Sequence, residues 1–369
     1  MNKKFYLFSF IFFLLLSCVP SEREHIRLGV AGPLTGDQGK SGQDILHGVE
    51  LAVQEWNEQG GVLGKKIVIV AGDDKHDSHE AVLIAKKLLS EKVVGVIGHL
   101  NSDCSITASD IYHQAGIPQI SPSSTNPIFT ERGLENVFRT CGRDDEQGKI
   151  AAEFAQKILK AKRIAIIHDR TTYGEGLAEE FKKAISDSST IISYIGIEQR
   201  KPSYAEDLLP LKDKNLEVVY FAGVYPEGIV LVNEIKLLGL KANFVGGDAL
   251  YNSVYLKKGG LATEGTFFTF GSPVEKIPTA GHFYGKFRLR YGEVGPYSIY
   301  AYDATNIILQ AIKETGSSEG KIISRRIHQM KYQGALGELK FDTKGDIFTA
   351  PYIIWTVKNG EFVPLGNQR

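Results

Sequence analysis

Excess charge is the first thing this sequence lacks: 43 Lys and Arg balance 43 Asp and Glu over 369 residues. That balance excludes a dedicated nucleic-acid binder, whose domain carries a basic surplus. Cysteine is scarce as well, with three in the whole chain. Two of them, Cys104 and Cys141, have no close Cys or His neighbour, so zinc-type ligand spacing is missing. A chain of this length builds a core without disulfides, and the sequence leaves open whether these two pair. Long apolar runs are absent except at the extreme N-terminus, which excludes a polytopic membrane protein.

Catalytic signatures are missing too. There is no G-x-x-x-x-G-K-S/T run, since Gly64-Lys65-Lys66 lacks the upstream glycine and the hydroxyl. The glycines after the first expected strand (32, 36, 39 and 42) do not fit G-x-G-x-x-G, and no G-x-S-x-G or H-E-x-x-H occurs. His76 and His79 beside Asp73, Asp74 and Asp77 admit a metal, but such a polar run more commonly caps the helix that follows. No metal, cofactor or catalytic residue is therefore expected, and the chain reads as a non-enzyme.

What is present begins with residues 1–17. Lys3 and Lys4 precede an apolar run, Phe5–Leu16, broken only by Ser9. As a helix that run rises about 18 Å, short of a hydrocarbon core of about 30 Å. It has the length and flanks of a cleaved export signal. Leu15-Leu16-Ser17-Cys18 resembles a bacterial lipoprotein box, which implies that Cys18 becomes the acylated first residue of the mature chain. Val19 to His25, with Pro20, reads as a short tether. The alternative is an ordinary signal peptide cut nearby.

The length suggests two domains, and the pattern agrees. Strand-like His25–Ala31 leads into a helix with apolar positions at Ile45, Val49, Ala52, Val53 and Trp56, stopped at Gly60-Gly61. Strands at 66–71, 93–97 and 117–120 alternate with helices at 79–89 and 105–113. The alternation restarts at Arg163–His168, with a loop at Tyr173-Gly-Glu-Gly176 and strands at 190–195, 218–221, 243–245 and 266–270. Helices follow at 282–291 and 298–312, and hairpin signals stand at Thr343-Lys344-Gly345 and Lys358-Asn359-Gly360. This is an α/β chain of two lobes, each a parallel sheet covered by helices.

Ligands of open α/β sheets bind beyond the carboxyl ends of the strands. Ser102, the cluster Ser123-Ser124-Thr125 and Asp248 all fall there, and Tyr173 lies on the first loop of the second lobe. Ser102 and Asp248 have a plainer reading as helix caps, and Ser123 to Thr125 as a turn. Jointly they supply donors for a carboxylate in one lobe and an acceptor for an ammonium in the other. That combination suits a free amino acid held between lobes.

Many ordered segments resemble one family. Leu28-Gly-Val-Ala-Gly-Pro-Leu-Thr-Gly36, Gly60-Gly-Val-Leu-Gly64, Val96-Ile-Gly-His-Leu100, Ile120-Ser-Pro-Ser-Ser-Thr125, Arg139-Thr140, Ile164-Ala-Ile-Ile-His-Asp169 and Tyr173-Gly-Glu-Gly-Leu177 are similar to the leucine/isoleucine/valine-binding proteins. These are substrate-binding components of ABC importers with the type I periplasmic-binding fold, two Rossmann-like lobes joined by a multi-strand hinge. The resemblance spans nearly all of residues 25–366. It implies an N-terminal lobe of 25–143 plus 272–350 and a C-terminal lobe of 144–271 plus 351–366. It further implies that Ser102, Ser123, Ser124 and Thr125 serve the ligand's carboxylate and part of its ammonium, with Tyr173 closing over it. Asp248 would pair with the ammonium, and Tyr297 would pack near the ligand side chain.

Two departures stand out. Ser41 and Val224 occupy positions where the family places tyrosines facing the ligand, and a one-residue shift offers Tyr225 for the second. His76 and Asn101 stand where the resemblance implies a disulfide, so both of its cysteines are missing together. The reading that follows is a lipid-anchored, exported receptor that hands a small amino acid, branched-chain or aliphatic, to an ABC permease. A sensory receptor with a signalling partner, or a binder of small amides or urea, is the alternative.

Overall fold

The computed structural model describes residues 25–348 and 351–366. The export signal, the Cys18 box and the tether to residue 24 lie outside the described residues. The chain first builds β1 (Ile26–Gly32), α1 (Gly39–Glu58), β2 (Ile67–Asp73), α2 (Ser78–Ser90), β3 (Gly95–Gly98), α3 (Ser102–Gln114), β4 (Gln119–Ser121), α4 (Ile128–Glu131) and β5 (Val137–Arg139). It then crosses to α5 (Asp144–Glu153), β6 (Ile164–His168), α6 (Thr172–Ala184), β7 (Ile191–Gly196), α7 (Ala205–Leu208), β8 (Val218–Ala222), α8 (Tyr225–Leu237), β9 (Asn243–Gly246), α9 (Ser253–Gly259) and β10 (Phe267–Phe270). A return segment gives α10 (Gly281–Tyr291), α11 (Ser298–Thr315), α12 (Gly320–Gln329), β11 (Lys331–Gly334) and β12 (Gly337–Lys340), and the chain ends on β13 (Ile353–Lys358) and β14 (Glu361–Pro364).

Two open sheets result. The first is parallel throughout, in the order β2-β1-β3-β4-β5. The second runs β14-β13-β10-β9-β8-β6-β7, parallel from β10 to β7 and antiparallel where β13 joins β10 and β14 joins β13. Central strands such as Ile164–His168 and Val218–Ala222 are buried along their whole length, as near-continuous apolar strands covered on both faces must be. The return segment rejoins the first lobe: α11 lies against α1, and Trp56 Nε1 donates to Asn306 Oδ1 at 2.8 Å. Antiparallel pairing of β13 with β10 then places the C-terminus in the second lobe. The chain thus passes between lobes three times, and this multi-strand hinge sets the carboxyl ends of both sheets facing one cleft.

The polar run at 73–79 is engaged in local structure. Asp77 accepts from the N–H groups of His79 (2.8 Å) and Glu80 (3.0 Å) and so caps α2, while Asp73 Oδ1 accepts from Leu34 N at 2.9 Å. Two other expectations need correcting. Residues 343–345 form a tight turn closed by a single Phe341–Ile347 bridge, and the true hairpin, β11–β12, turns earlier at Ala335-Leu336. Tyr173 is not on a loop; it lies in the first turn of α6, where the Thr171 hydroxyl caps the Gly174 N–H. The late Asn359-Gly360 signal does close the β13–β14 hairpin, both residues having positive φ, as such a turn requires. Cys104 and Cys141 are both buried and unpaired. No helix among the described residues is long and apolar enough to cross a membrane.

Candidate functional site

Three loops at sheet ends meet in the cleft. After β3 the chain runs directly into α3, whose N-cap Asn101 makes no side-chain capping bond, so the N–H groups of the first turn have no side-chain partner, and they carry the positive end of the helix dipole. Ser102 is the first residue of α3. It is not a cap; its hydroxyl accepts from Asn126 N at 3.3 Å, stitching the β3 loop to the β4 loop.

The β4 loop is held from beneath. Ser121 Oγ donates to His99 O (2.8 Å) and accepts from Ser124 N (2.9 Å), and Ser123 Oγ donates to Leu100 O at 2.9 Å. Arg139, fully buried, donates to Ser124 O (2.6 Å) and Asn126 O (3.0 Å), and its Nε donates to Asp346 Oδ1 at 2.6 Å. The Ser124 hydroxyl is engaged within the lobe by Ser105 Oγ (2.7 Å) and Leu100 O (3.1 Å). By contrast, Thr125 Oγ1 is buried without a well-formed hydrogen bond.

Asp248 begins a single 3-10 turn after β9 and does not cap it; Asn252 caps α9 instead, accepting from Val254 N at 2.8 Å. The Asp248 carboxylate accepts from Tyr173 OH at 2.9 Å and from Tyr297 OH at 3.1 Å. Tyr297 precedes α11 of the first lobe, so the acid joins the two lobes. Gly247 permits the approach, because a Cβ there would lie 2.6 Å from Tyr173 OH.

Sequence reasoning missed the partner of this acid. Asp144, the first residue of α5, is wholly buried, and its Oδ1 accepts from Gln147 Nε2 at 3.2 Å while Oδ2 has no partner. Gln147 Oε1 accepts from Asp248 N (2.7 Å) and Thr269 Oγ1 (2.6 Å), so one carboxamide bridges the two acidic turns. Burial raises both carboxyl pKa values, and repulsion by the Asp248 carboxylate raises the Asp144 value further. The Tyr220 hydroxyl, buried and unpartnered, lies in the same electrostatic neighbourhood. Among the described residues neither Asp144 nor Asp248 is in an ion pair. The signal for Asp144 was available in its place at the head of a helix directly after the first crossing, but the sequence gives no measure of burial there.

Cross-lobe contacts close the cleft mouth. Asn252 Nδ2 donates to Ser41 Oγ at 2.9 Å, Tyr225 OH donates to Asp37 O at 2.6 Å, and Arg200 Nε donates to Asp37 Oδ2 at 3.0 Å. Val224 is the N-cap residue of α8 and Tyr225 its first helical residue. His76 and Asn101 are bridged through Gln38, whose Nε2 donates to His76 Nδ1 (2.5 Å) and whose Oε1 accepts from Asn101 Nδ2 (3.2 Å). A polar bridge thus spans the place where the resemblance implies a disulfide.

The geometry has counterparts. A family model described as periplasmic binding protein matches residues 25–361. The Leu/Ile/Val-binding protein homolog 2 of Brucella abortus is 37% identical over 338 residues, 91% of each chain. Among solved structures, a leucine-binding protein from Thermotoga maritima superposes with TM-score 0.86 at 27% identity, covering 92% of this chain and 98% of its own. A branched-chain amino acid transporter substrate-binding protein from Streptococcus pneumoniae, in complex with isoleucine, gives 0.84 at 25% identity, covering 93% and 100%.

Proposed function

Since this chain belongs to the periplasmic binding protein family, we propose that it is the extracytoplasmic substrate-binding receptor of an ABC importer for a small branched-chain or aliphatic amino acid. What carries this reading is a charge imbalance in the cleft. Among the described residues the two buried acids Asp144 and Asp248 form no ion pair, with Arg139 the one cation felt by Asp144, beside a Thr125 hydroxyl that lacks a well-formed partner. A ligand ammonium supplies the ion-pair partner. The uncapped start of α3, with Ser102 and the β4 loop, supplies donors for the carboxylate.

In this reading Ser102, Ser123 and Thr125 receive the carboxylate side, Asp248 and Asp144 the ammonium, and Tyr173 and Tyr297 fix the Asp248 carboxylate from either lobe. The Ser123 and Ser124 hydroxyls are both already engaged, by Leu100 O and by Ser105 Oγ, so Ser123 serves the ligand through its backbone and Ser124 is left out. No bond is made or broken. The ligand bridges the lobes, shifts the hinge equilibrium toward the closed form, and that form is what the permease engages. A ligand lacking either charge leaves buried polar groups unpaired and is rejected.

The Cys18 box completes the proposal, with residues 1–17 removed and an acylated Cys18 holding the receptor on the outer face of the membrane. Native mass spectrometry of the purified protein is expected to show a retained mass equal to one amino acid. Cys18→Ala is expected to move the exported protein from the membrane fraction to the soluble one. A retained ligand that is not an amino acid contradicts the receptor assignment, and unchanged fractionation contradicts the anchor.

A further inference from the structure

The far end of the first lobe carries a groove of about 1010 Å³ that the ligand cleft does not use. Arg27, Lys66 and Lys92 line it, with Lys65 and His25 beside them, and among the described residues no Asp or Glu side chain contributes to its walls. The three cations come from adjacent strands: Arg27 from the start of β1, Lys66 from just before β2, and Lys92 from the turn before β3. All three are exposed. Lys92 has positive φ, as do Gly60, Gly61 and Gly64 on the opposite wall. Arg27 Nη1 donates to the Glu91 carbonyl at 3.0 Å, which fixes the guanidinium at the rim.

Two placements give the groove a direction. It lies at the amino ends of β2, β1 and β3, whereas the amino-acid cleft lies at their carboxyl ends, one strand length of about 23 Å away. It also lies where the chain enters the fold, at His25. Six residues lie between Cys18 and His25, seven backbone steps with a reach of at most about 25 Å when fully extended. If Cys18 is acylated, the tether is short enough to let this end of the lobe approach the bilayer to within the roughly 8 Å over which charges act in physiological salt.

We propose that this groove is a docking surface for anionic lipid headgroups, seating the first lobe on the membrane with the cleft turned outward. Its position relative to the bilayer rests on the acylated Cys18 proposed above; its affinity for an anionic surface does not. Each Lys or Arg near such a surface adds a roughly constant increment, so the surface works as a sum of charges rather than a shaped site. The ligand cleft stays clear of the contact, and amino-acid binding should not respond to it.

The test uses the chain from Val19 onward, which contains every described residue and carries no lipid. Its partitioning onto vesicles of phosphatidylcholine alone and of phosphatidylcholine with 30% phosphatidylglycerol (a chosen composition, about a third anionic) is measured by co-sedimentation at low and high salt. The expected result is binding to the anionic vesicles only, weakened by salt. Arg27→Gln, Lys66→Gln and Lys92→Gln should each lower the partition coefficient by about fivefold, with amino-acid affinity unchanged. Absent or charge-independent vesicle binding overturns the proposal, as does binding that the three variants leave intact. Displacement by millimolar inorganic phosphate at low total ionic strength also overturns it, in favour of a small-anion site. The Cys18→Ala fractionation is read separately on cells, so failure of the anchor and failure of the groove are distinct results.

Discussion

Tyr297, at the head of α11 in the first lobe, donates its hydroxyl to Asp248 Oδ2 in the second lobe at 3.1 Å. With Tyr173 on Oδ1, both carboxylate oxygens are held in place, and each keeps a lone pair that a ligand cation can meet. Asp248→Asn keeps the shape and removes the charge, leaving a bound ammonium under-compensated in a dry site. Amino-acid affinity should fall by about 100-fold or more, measured by calorimetry, while the circular dichroism spectrum is unchanged. Asp144→Asn should cost about tenfold. Unaltered affinity in both variants returns these acids to a structural role.

The same pair sets a pH dependence. Burial raises both carboxyl groups, and Asp248 adds to the effect on Asp144. The other groups in their field are Arg139, which opposes the shift, Asp145, and the phenols of Tyr173, Tyr220 and Tyr297. An arriving ammonium favours the ionised form, so binding releases protons. Affinity should therefore rise as pH increases through the raised titration of these carboxyl groups, by up to about tenfold per pH unit for one proton released. Titrations in buffers of different ionisation enthalpy measure that release directly. Asp144→Asn should flatten the profile.

Closure has its own latch, separate from the ligand contacts. Tyr225 OH reaches Asp37 O at 2.6 Å, and Arg200 reaches the Asp37 carboxylate at 3.0 Å. The Arg200 guanidinium is half exposed, so its pair is worth about 1 kcal/mol or less; the buried tyrosine bond is worth about 1 kcal/mol. Tyr225→Phe combined with Arg200→Ala should weaken ligand binding by about tenfold. Small-angle scattering should show the variant opening without ligand and closing again at saturation.

Sequence periodicity found the alternating strands and helices because buried parallel strands such as Ile164–His168 are apolar without interruption, and α1 repeats apolar residues at helical spacing. It missed β5 and the β11–β12 hairpin, whose short strands have too few residues to show a period. At the site, Ser102, Thr125 and Asp248 were legible as polar residues just beyond strands. Asp144 was not, since its importance lies in total burial beside Asp248, a product of the lobe crossing rather than of local pattern. Nor does sequence show which way a hydroxyl in that loop turns: Ser124 turns inward, where Ser105 holds it.

Three buried aspartates should each subtract from the stability of the unliganded protein as pH rises toward neutral. Asp303 Oδ1 and Oδ2 accept from Ala335 N (2.9 Å) and Leu336 N (2.8 Å), yet burial lifts its pKa to about 7. Asp44 and Asp169 are lifted by burial to about 6. For each, the folded state holds a proton more tightly than the unfolded chain, whose Asp titrates near 3.8. Their contribution is therefore full below about pH 4 and lost as pH rises through the folded values. For Asp303 the loss is roughly 4 kcal/mol at most. Asp303→Asn should make the fall in melting temperature between pH 4 and pH 7 (a range spanning about these two titrations) shallower, as differential scanning calorimetry would show.

Isothermal titration of the mature chain with each amino acid, and with urea and benzoate as ligands lacking the zwitterion, tests the central claim most directly. The expected result is saturable one-to-one binding of leucine, isoleucine, valine or a close aliphatic relative, with no heat from urea or benzoate. Ligand at about 100 times its dissociation constant should then stabilise the fold by about 2.7 kcal/mol. Binding of urea or benzoate with none of any amino acid would contradict the account, because the paired carboxylates of Asp144 and Asp248 would then have no ammonium to receive.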